Sequence, residues 1–216
     1  MNLYINTSSA FCELALFQED KIVEHSIHEE AMKHSTVLHS MIEKLLESYG
    51  GVKKITCITL LNGPGSYTGL RVGLAAAKGF CYALSIPLIL LNKLDSLCQQ
   101  YLQANLNQDA VACLQAARKD EYFFCAHTRE KIIVPAEVQN TQFIRETLSK
   151  LPNMKLISTD ILPVEFERDV TVLPLELEFI VQLVQNRKAN KEFNNIFHAE
   201  PFYLKKVHAN LPKKRF

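Results

Sequence analysis

Residues 62–79 read NGPGSYTGLRVGLAAAKG, and they follow an apolar run from Ile55 to Leu61. The apolar run predicts a buried strand, and the glycines with the proline predict a loop. A helix is then predicted from Tyr67 to Leu84, whose only charges after its first turn are Arg71 and Lys78. A helix with so few charges must be covered on nearly every side, so the stretch indicates an α/β protein with a deeply packed helix.

Small residues recur at every fourth position along this helix, at Gly69, Gly73 and Ala77. A stripe of this kind lets another helix approach closely, although each glycine costs about 1 kcal/mol of helix stability. An earlier helix is predicted from Ser35, as its N-cap, to Tyr49, and its apolar residues cover about half of its circumference. That width fits either a deeply packed helix or a helix with a core side and a partner side.

We predict that these two helices offer a surface to a partner protein. Helices that are too apolar for a single buried face favour a protein that works by binding and assembly. The predicted interface residues are Leu38, Met41, Ile42 and Leu45 on the first helix and Gly69, Gly73, Leu74 and Ala77 on the second.

The loop before the second helix is the first candidate for a ligand site. It lacks the lysine and the spacing of a P-loop, and its third glycine, Gly69, falls one place late for a dinucleotide fingerprint. Ser66 has no G-x-S-x-G context that would predict a nucleophile. Free N–H groups at a helix N-terminus can still hold an anion, so an anion cradle and a plain tight turn both stay open. The motif-loop residues are Gly63, Pro64, Gly65, Ser66, Thr68 and Arg71.

Composition and charge narrow the class of protein. Hydrophobic residues make up 48% and charged residues 22% of the 216, and the net charge of +1 gives no reason to expect nucleic acid or an acidic membrane as a direct partner. The six cysteines form no C-x-x-C pair and the histidines form no H-E-x-x-H motif, so neither a disulfide framework nor a metal site is predicted. Because no signal peptide or membrane-spanning run is visible, a cytoplasmic protein is expected.

Strand and helix signals arrange the chain into two lobes. Residues 1–105 show a strand, a hairpin and then alternating helices and strands, an order that fits a ribonuclease-H-like lobe. Residues 106–216 repeat this order less clearly and end in a basic tail. The first strand ends at Asn6 and leads into the polar sequence Thr7-Ser8-Ser9, which is either an ordinary turn or a phosphate-contacting one.

The stretch 62–79 closely resembles the signature of the bacterial TsaB (YeaZ) family. Further agreement, dense to about residue 95 and sparse later, comes from Ile5 to Ser8, Lys33 to Ser35, Ala117 to Tyr122 and Pro201 to Lys205. The resemblance implies an α/β protein with an actin-like/Hsp70-like ATPase fold, built from two ribonuclease-H-like lobes whose mixed sheets are flanked by helices.

The resemblance also implies a role without catalysis. TsaB-type proteins are accessory subunits in making threonylcarbamoyladenosine beside the anticodon of tRNAs that read ANN codons. They bind the catalytic paralogue TsaD through their first two helices, an ATPase called TsaE completes the assembly, and homodimers form through similar surfaces. We therefore expect no catalytic residue and no cofactor of the chain's own, although a nucleotide at a partner interface stays open. Contact with tRNA is expected only through the complex, and no membrane is expected to take part.

Four positions depart from the family or from its paralogue. Asn6 stands where the family commonly has an acidic residue, and Ala116 where it normally has an aspartate. Lys93 and Leu97 stand where TsaD has two metal-binding histidines. The two-lobe architecture keeps one alternative open, an ATP-dependent kinase or transferase of the actin-like superfamily, although an amide is a poorer Mg²⁺ ligand than a carboxylate. A metallopeptidase is the third and least favoured hypothesis, because the matched positions carry no zinc ligands.

Overall fold

Five strands form the first sheet of the computed structural model, which describes residues 1–162, 166 and 168–202. Their order is β3-β2-β1-β4-β5; β1, β2 and β3 form an antiparallel meander, whereas β4 and β5 run parallel to β1. Because the parallel strands are buried on both faces, they are nearly all apolar. The bounds are β1 (Asn2–Asn6), β2 (Glu13–Gln18), β3 (Lys21–Ile27), β4 (Cys57–Leu61) and β5 (Leu88–Leu91).

Two helices, α1 (His34–Glu47) and α2 (Tyr67–Leu84), cover one face of this sheet, and a 3₁₀ turn (Val52–Lys54) lies between them. The predicted bounds of α2 are confirmed. The predicted Ser35 cap is wrong, because α1 already begins at His34 and its start has no side-chain cap. The buried His34 ring instead donates to the Ser9 carbonyl oxygen at 2.9 Å. The core between helices and sheet includes Leu3, Ile5, Leu38, Ile42, Ile58, Leu60, Leu74 and Ala77.

The second sheet repeats the topology of the first, in the order β10-β9-β6-β7-β8. A three-stranded antiparallel meander is again followed by strands parallel to its first member, and one helix covers the outer face. Two such sheets flanked by helices confirm the expected pair of ribonuclease-H-like lobes in an actin-like fold. The elements are β6 (Ala110–Arg118), β7 (Glu121–Thr128), β8 (Ile132–Asn140), α4 (Thr141–Lys150), β9 (Lys155–Ser158) and β10 (Val170–Val172).

Two further helices, α3 (Lys93–Ala104) and α5 (Leu177–Ala189), each pack on the sheet of the other lobe. α3 follows β5 but buries Leu94, Leu97, Cys98 and Leu102 against the second sheet. α5 follows β10 but buries Ile180, Val181 and Val184 against the first sheet. The structure thus differs from the sequence-based division at residue 105, since apolar periodicity indicates which face of a helix is buried but not which sheet covers it.

The segment after α5 also lies on the first lobe. Asn194 N–H donates to the Leu88 carbonyl oxygen at 2.8 Å, and the Asn62 amide donates to the Glu200 carbonyl oxygen at 2.9 Å. The basic tail and the sequence from Tyr203 onward lie outside the described residues. Within the described part of the chain, every helix is too short or too polar to cross a bilayer.

Candidate functional site

The glycines of the motif stretch pack against the turn that follows β1. A Cβ atom at Gly65 would lie 2.0 Å from the Ser8 carbonyl oxygen, and one at Gly69 would lie 2.1 Å from the Thr7 carbonyl oxygen. A Cβ atom at Gly73 would lie 2.1 Å from Thr7 Oγ1. No real side chain fits at such distances, so these positions require glycine. The close approach that the stripe predicts is therefore made, at Gly69 and Gly73, by the chain's own first turn.

Local hydrogen bonds fix the loop as the start of a helix. Ser66 Oγ accepts from the Gly69 N–H at 3.3 Å as the N-cap of α2, and the Gly63 carbonyl oxygen accepts from Lys93 N–H at 2.7 Å. The Arg71 guanidinium lies over the Tyr67 ring, 4.0 Å from its centroid. Gly63 and Pro64 are buried, Gly65 and Ser66 are half-buried, and Thr68 and Arg71 are exposed. Of the two interpretations, the tight turn that begins a helix is the one that these contacts favour.

Asparagines stand at the carboxyl ends of all three parallel strands of the first sheet: Asn6 is the last residue of β1, and Asn62 and Asn92 follow β4 and β5. The carboxyl ends of parallel strands meet at one edge, which is where open α/β sheets bind ligands. Each amide makes at least one hydrogen bond within the protein, whereas the buried Asn62 Oδ1 and Asn92 Nδ2 atoms have no hydrogen-bond partner among the described residues. Asn6 Oδ1 accepts from Ser8 N–H at 3.0 Å and Ser8 Oγ–H at 2.8 Å, and Asn92 Oδ1 caps α3. These three strand ends therefore present no carboxylate to a magnesium–nucleotide complex.

A carboxylate does lie next to Asn6, but the protein already binds it on both oxygens. Asn6 Nδ2 donates to Glu13 Oε2 at 2.8 Å, and the His25 ring donates to Glu13 Oε1 at 2.9 Å. Glu13 stands directly across from Asn6 in the β1–β2 pairing. The arrangement is a cross-strand polar network that fixes the start of β2.

The two positions that match the histidines of the paralogue carry no metal ligands. Lys93 is buried at the start of α3, where desolvation lowers the pKa of its ammonium group and Asp160 opposes that shift. Leu97 is fully buried against the second sheet.

The predicted interface residues on α1 and α2 lie mostly on the core side of these helices. Among the eight, only Met41 is half-buried; the others are buried within the chain, namely Leu38, Ile42, Leu45, Gly69, Gly73, Leu74 and Ala77. Any partner surface on these helices must therefore be formed by their outward neighbours. The partner interface itself stays a prediction.

The outer sides of α1 and α2 enclose a surface groove of about 660 Å³. Ala75, Gly79 and Ala83 are exposed there, and they form a second stripe of small residues at every fourth position. The Phe80 and His39 rings lie 6.4 Å apart along the groove. All lining side chains are uncharged: Ser35, His39, Val72, Ala75, Ala76, Gly79, Phe80 and Ala83. These three small residues are four positions apart in the sequence, so the sequence alone could have predicted this outer stripe.

Sequence reasoning also missed a buried group of cysteine and histidine side chains. In the part of the chain that the structure describes, Cys98, Cys125 and His127 are the one trio of metal-binding types that converges. Burial opposes the charge on His127, but hydrogen bonds with Asp95 and Cys125 raise its pKa from 6.5 to about 9. Two signals were available. Cys125 and His127 alternate along β7, and Asp95 and Cys98 are three residues apart on α3, so each pair shares a face.

The fold and the strand ends together define a class, an actin-like two-lobed protein without carboxylates at the three parallel strand ends of its first lobe. Within that class, a family model described as TsaD, tRNA N6-adenosine threonylcarbamoyltransferase, matches residues 21–210. The chain belongs to this family.

Similar proteins confirm the resemblance to TsaB. The tRNA threonylcarbamoyladenosine biosynthesis protein TsaB of Haemophilus influenzae is 30% identical over 132 residues, which are 60% of this chain and 55% of that protein. The TsaB of Buchnera aphidicola from Acyrthosiphon pisum is 26% identical over 209 residues, 95% of this chain and 89% of that protein. The chain thus matches about half the length of the first relative and most of the second.

Solved structures agree on the fold. YeaZ from Pseudomonas aeruginosa superimposes with a TM-score of 0.66 and 19% identity, over 94% of this chain and 99% of that one. A Pseudomonas aeruginosa protein described as similar to peptidase YeaZ gives a TM-score of 0.69 and 21% identity, with the same coverage.

Proposed function

We propose that the chain is a non-catalytic TsaB-type subunit, required for threonylcarbamoylation of the adenosine beside the anticodon in tRNAs that read ANN codons. Relatives named for this biosynthesis match along most of the chain, which supports the pathway. The asparagines at the three strand ends are the observation that supports a role without catalysis. Because Asn6, Asn62 and Asn92 place amides at strand ends where a phosphate-bound metal would favour carboxylates, the chemistry is left to another subunit.

That subunit is a TsaD paralogue, and the groove between α1 and α2 is the surface that receives it. The groove combines exposed small residues, which allow a close approach of a second helix, with the half-buried Phe80 as an apolar anchor. The same surface serves a homodimer when TsaD is absent. TsaE joins the assembly through TsaD, tRNA contacts the complex rather than this chain, and any nucleotide sits at a subunit interface. The assembly works in the cytoplasm.

Substitution of Gly79 by arginine tests the groove. A Cβ atom at Gly79 meets nothing within 4 Å, so the monomer tolerates the side chain and gains helix propensity. We expect Gly79→Arg to reduce co-purification with the TsaD of the same organism at least about tenfold, because a groove that excludes water cannot bury an unpaired charge. Threonylcarbamoyladenosine in tRNA, measured by mass spectrometry in cells that depend on the variant, should fall with it.

Ser149→Arg is the matched control, because Ser149 is exposed on α4 of the other lobe. It should leave both binding and tRNA modification unchanged. Full co-purification and full modification with Gly79→Arg would exclude this groove as the TsaD-binding surface.

The enzyme alternative is tested separately on the isolated chain. Calorimetry with MgATP should give no heat of binding at micromolar concentrations, since the strand-end positions carry amides. Micromolar binding accompanied by turnover would replace the accessory role with that of an ATP-dependent kinase or transferase.

A further inference from the structure

Four side chains from α3 and β7 converge in the layer where α3 packs on the second sheet. Cys98 Sγ and Cys125 Sγ are 3.5 Å apart, and the ligand atoms of Cys98, Cys125 and His127 all lie within 4.8 Å of one another. Asp95 Oδ1 accepts a hydrogen bond from His127 Nε2 at 2.8 Å. The two cysteines are fully buried and His127 is 4% exposed. The described residues hold no second cluster of this kind.

The distance between the two cysteine sulfur atoms suits a zinc ion with tetrahedral coordination. With Zn–S bonds of about 2.3 Å, two thiolates at a tetrahedral angle lie about 3.8 Å apart, close to the 3.5 Å between Cys98 Sγ and Cys125 Sγ. A disulfide bond would require a separation of about 2 Å.

The bond between His127 Nε2 and Asp95 leaves Nδ1 as the ring nitrogen that can bind a metal. A carboxylate on the other ring nitrogen is the usual outer partner of a metal-bound histidine, because it fixes the tautomer and the ring orientation. The structure already provides this carboxylate–histidine pair.

The charges of the side chains also favour a zinc ion at this cluster. The surrounding layer includes Leu94, Val111 and Ile157 together with the Cys113 thiol, which is hydrogen-bonded with Cys98. An isolated ion is strongly disfavoured in such a layer. Two thiolates neutralise one divalent cation, so zinc with Cys98, Cys125 and neutral His127 carries no net charge. The Asp95 carboxylate beyond His127 is 27% exposed to water. A surface pocket is lined by Asp95 and His127, so this side of the cluster lies next to solvent, whereas Cys98 and Cys125 lie behind the lining.

We propose that Cys98, Cys125 and His127 bind one zinc ion, with a water molecule in the fourth position and Asp95 positioning His127. The ion joins α3, which comes from the first lobe, to β7 of the second. The proposed site is independent of the proposed role in tRNA modification.

Cobalt substitution of the full chain tests the proposal. The wild-type chain, refolded or expressed with Co²⁺ under reducing conditions, should bind one equivalent. Its spectrum should show thiolate-to-cobalt charge transfer in the near ultraviolet and intense d–d bands of a tetrahedral ion. Zn²⁺ should bleach these bands at one equivalent and raise the midpoint temperature of unfolding. A wild-type chain that stays folded but shows no such bands, or whose mass reveals a Cys98–Cys125 disulfide instead, overturns the proposal.

Variants assign the ligands. Cys98→Ser and His127→Gln should lose the cobalt bands, and Asp95→Asn should weaken metal affinity about 10–100-fold. Cys81→Ser is the matched control, because Cys81 is an equally buried free cysteine in the first lobe, and it should keep them. Circular dichroism identifies any variant that fails to fold. If a variant does not fold, the cobalt spectrum of the wild-type chain alone decides whether the proposal stands. Bands that persist in folded Cys98→Ser would place the metal elsewhere.

Discussion

At the scale of single residues, Asn6 uses both ends of its amide. The oxygen accepts two hydrogen bonds from Ser8, and the nitrogen donates to Glu13. An aspartate could accept from Ser8 equally well, but it could not donate to Glu13. The asparagine therefore belongs to a network in which β2 begins with a carboxylate, and its amide makes a bond to Glu13 that an aspartate could not make.

Asn6→Asp should destabilise the chain by about 1–3 kcal/mol near neutral pH, because two carboxylates would then face each other in a partly buried position. Urea denaturation followed by circular dichroism measures the change. Adding Glu13→Gln to this variant restores a donor opposite the new carboxylate and should recover most of the loss. An unchanged midpoint for Asn6→Asp would show that the Asn6–Glu13 bond does not contribute to stability.

Gly73→Ala should cost about 1–3 kcal/mol even though alanine favours helices, because the new methyl group overlaps a packed neighbour. It would lie 2.1 Å from Thr7 Oγ1 and 3.1 Å from Leu60 Cδ1. Gly79→Ala, on the open side of the same helix, should instead stabilise the chain by up to about 1 kcal/mol. Guanidinium unfolding of both variants provides the comparison, and equal effects would contradict the two-sided description of α2.

At the scale of elements, α2 carries two stripes of small residues with different neighbours. Gly69, Gly73 and Ala77 face the chain's own core, whereas Ala75, Gly79 and Ala83 face solvent. This explains why the helix has so few charges. One side is covered by the first strand and its turn, and the other side lines the groove.

The sequence was sufficient to predict the bounds of α2, since the loop glycines and the uninterrupted apolar run mark both ends. It was not sufficient to predict what covers a buried face. The spacing of Gly69 and Gly73 predicted a close approach but not that Thr7 makes it. β10 was not predicted, because a strand of only three residues gives almost no periodic signal. Cys98 and Cys125 are 27 residues apart, so only the packing of α3 on β7 brings them together.

Ile180→Ala should destabilise the chain by about 2–5 kcal/mol, because it leaves a cavity in the core of the first lobe. Ile180 is 1% exposed and belongs to the same apolar cluster as Tyr4, Leu61 and Leu91. Asn186→Ala, on the exposed side of the same helix, should change the free energy of unfolding by less than about 0.5 kcal/mol. Thermal and urea unfolding give both values. If Ile180→Ala matched its control, α5 would not be seated on the first sheet.

At the scale of the whole molecule, the two lobes exchange a helix. α3 leaves the first sheet to cover the second, and α5 leaves the second to cover the first. Each lobe therefore completes its core with residues from the other half of the chain, so the molecule should unfold as one cooperative unit.

Separate expression of residues 1–105 and 106–216 tests whether the molecule unfolds as one cooperative unit. Each fragment lacks the helix that covers one face of its sheet, so neither should show cooperative thermal unfolding alone. An equimolar mixture should recover the near-ultraviolet circular dichroism and the single transition of the intact chain. Cooperative unfolding of either isolated fragment would contradict the shared cores.

The exchange of helices also limits how such a protein can be recombined. A chimaera of two relatives joined near residue 105 would cover each sheet with a helix from the wrong parent, where side chains of unmatched size must interlock. Junctions before α3 and before α5, near residues 92 and 176, keep every helix with the sheet it was selected to fit. The part that can be exchanged between relatives is therefore the middle segment between these two junctions. The segments before and after it must come from the same parent, so neither half of the chain is an exchangeable unit.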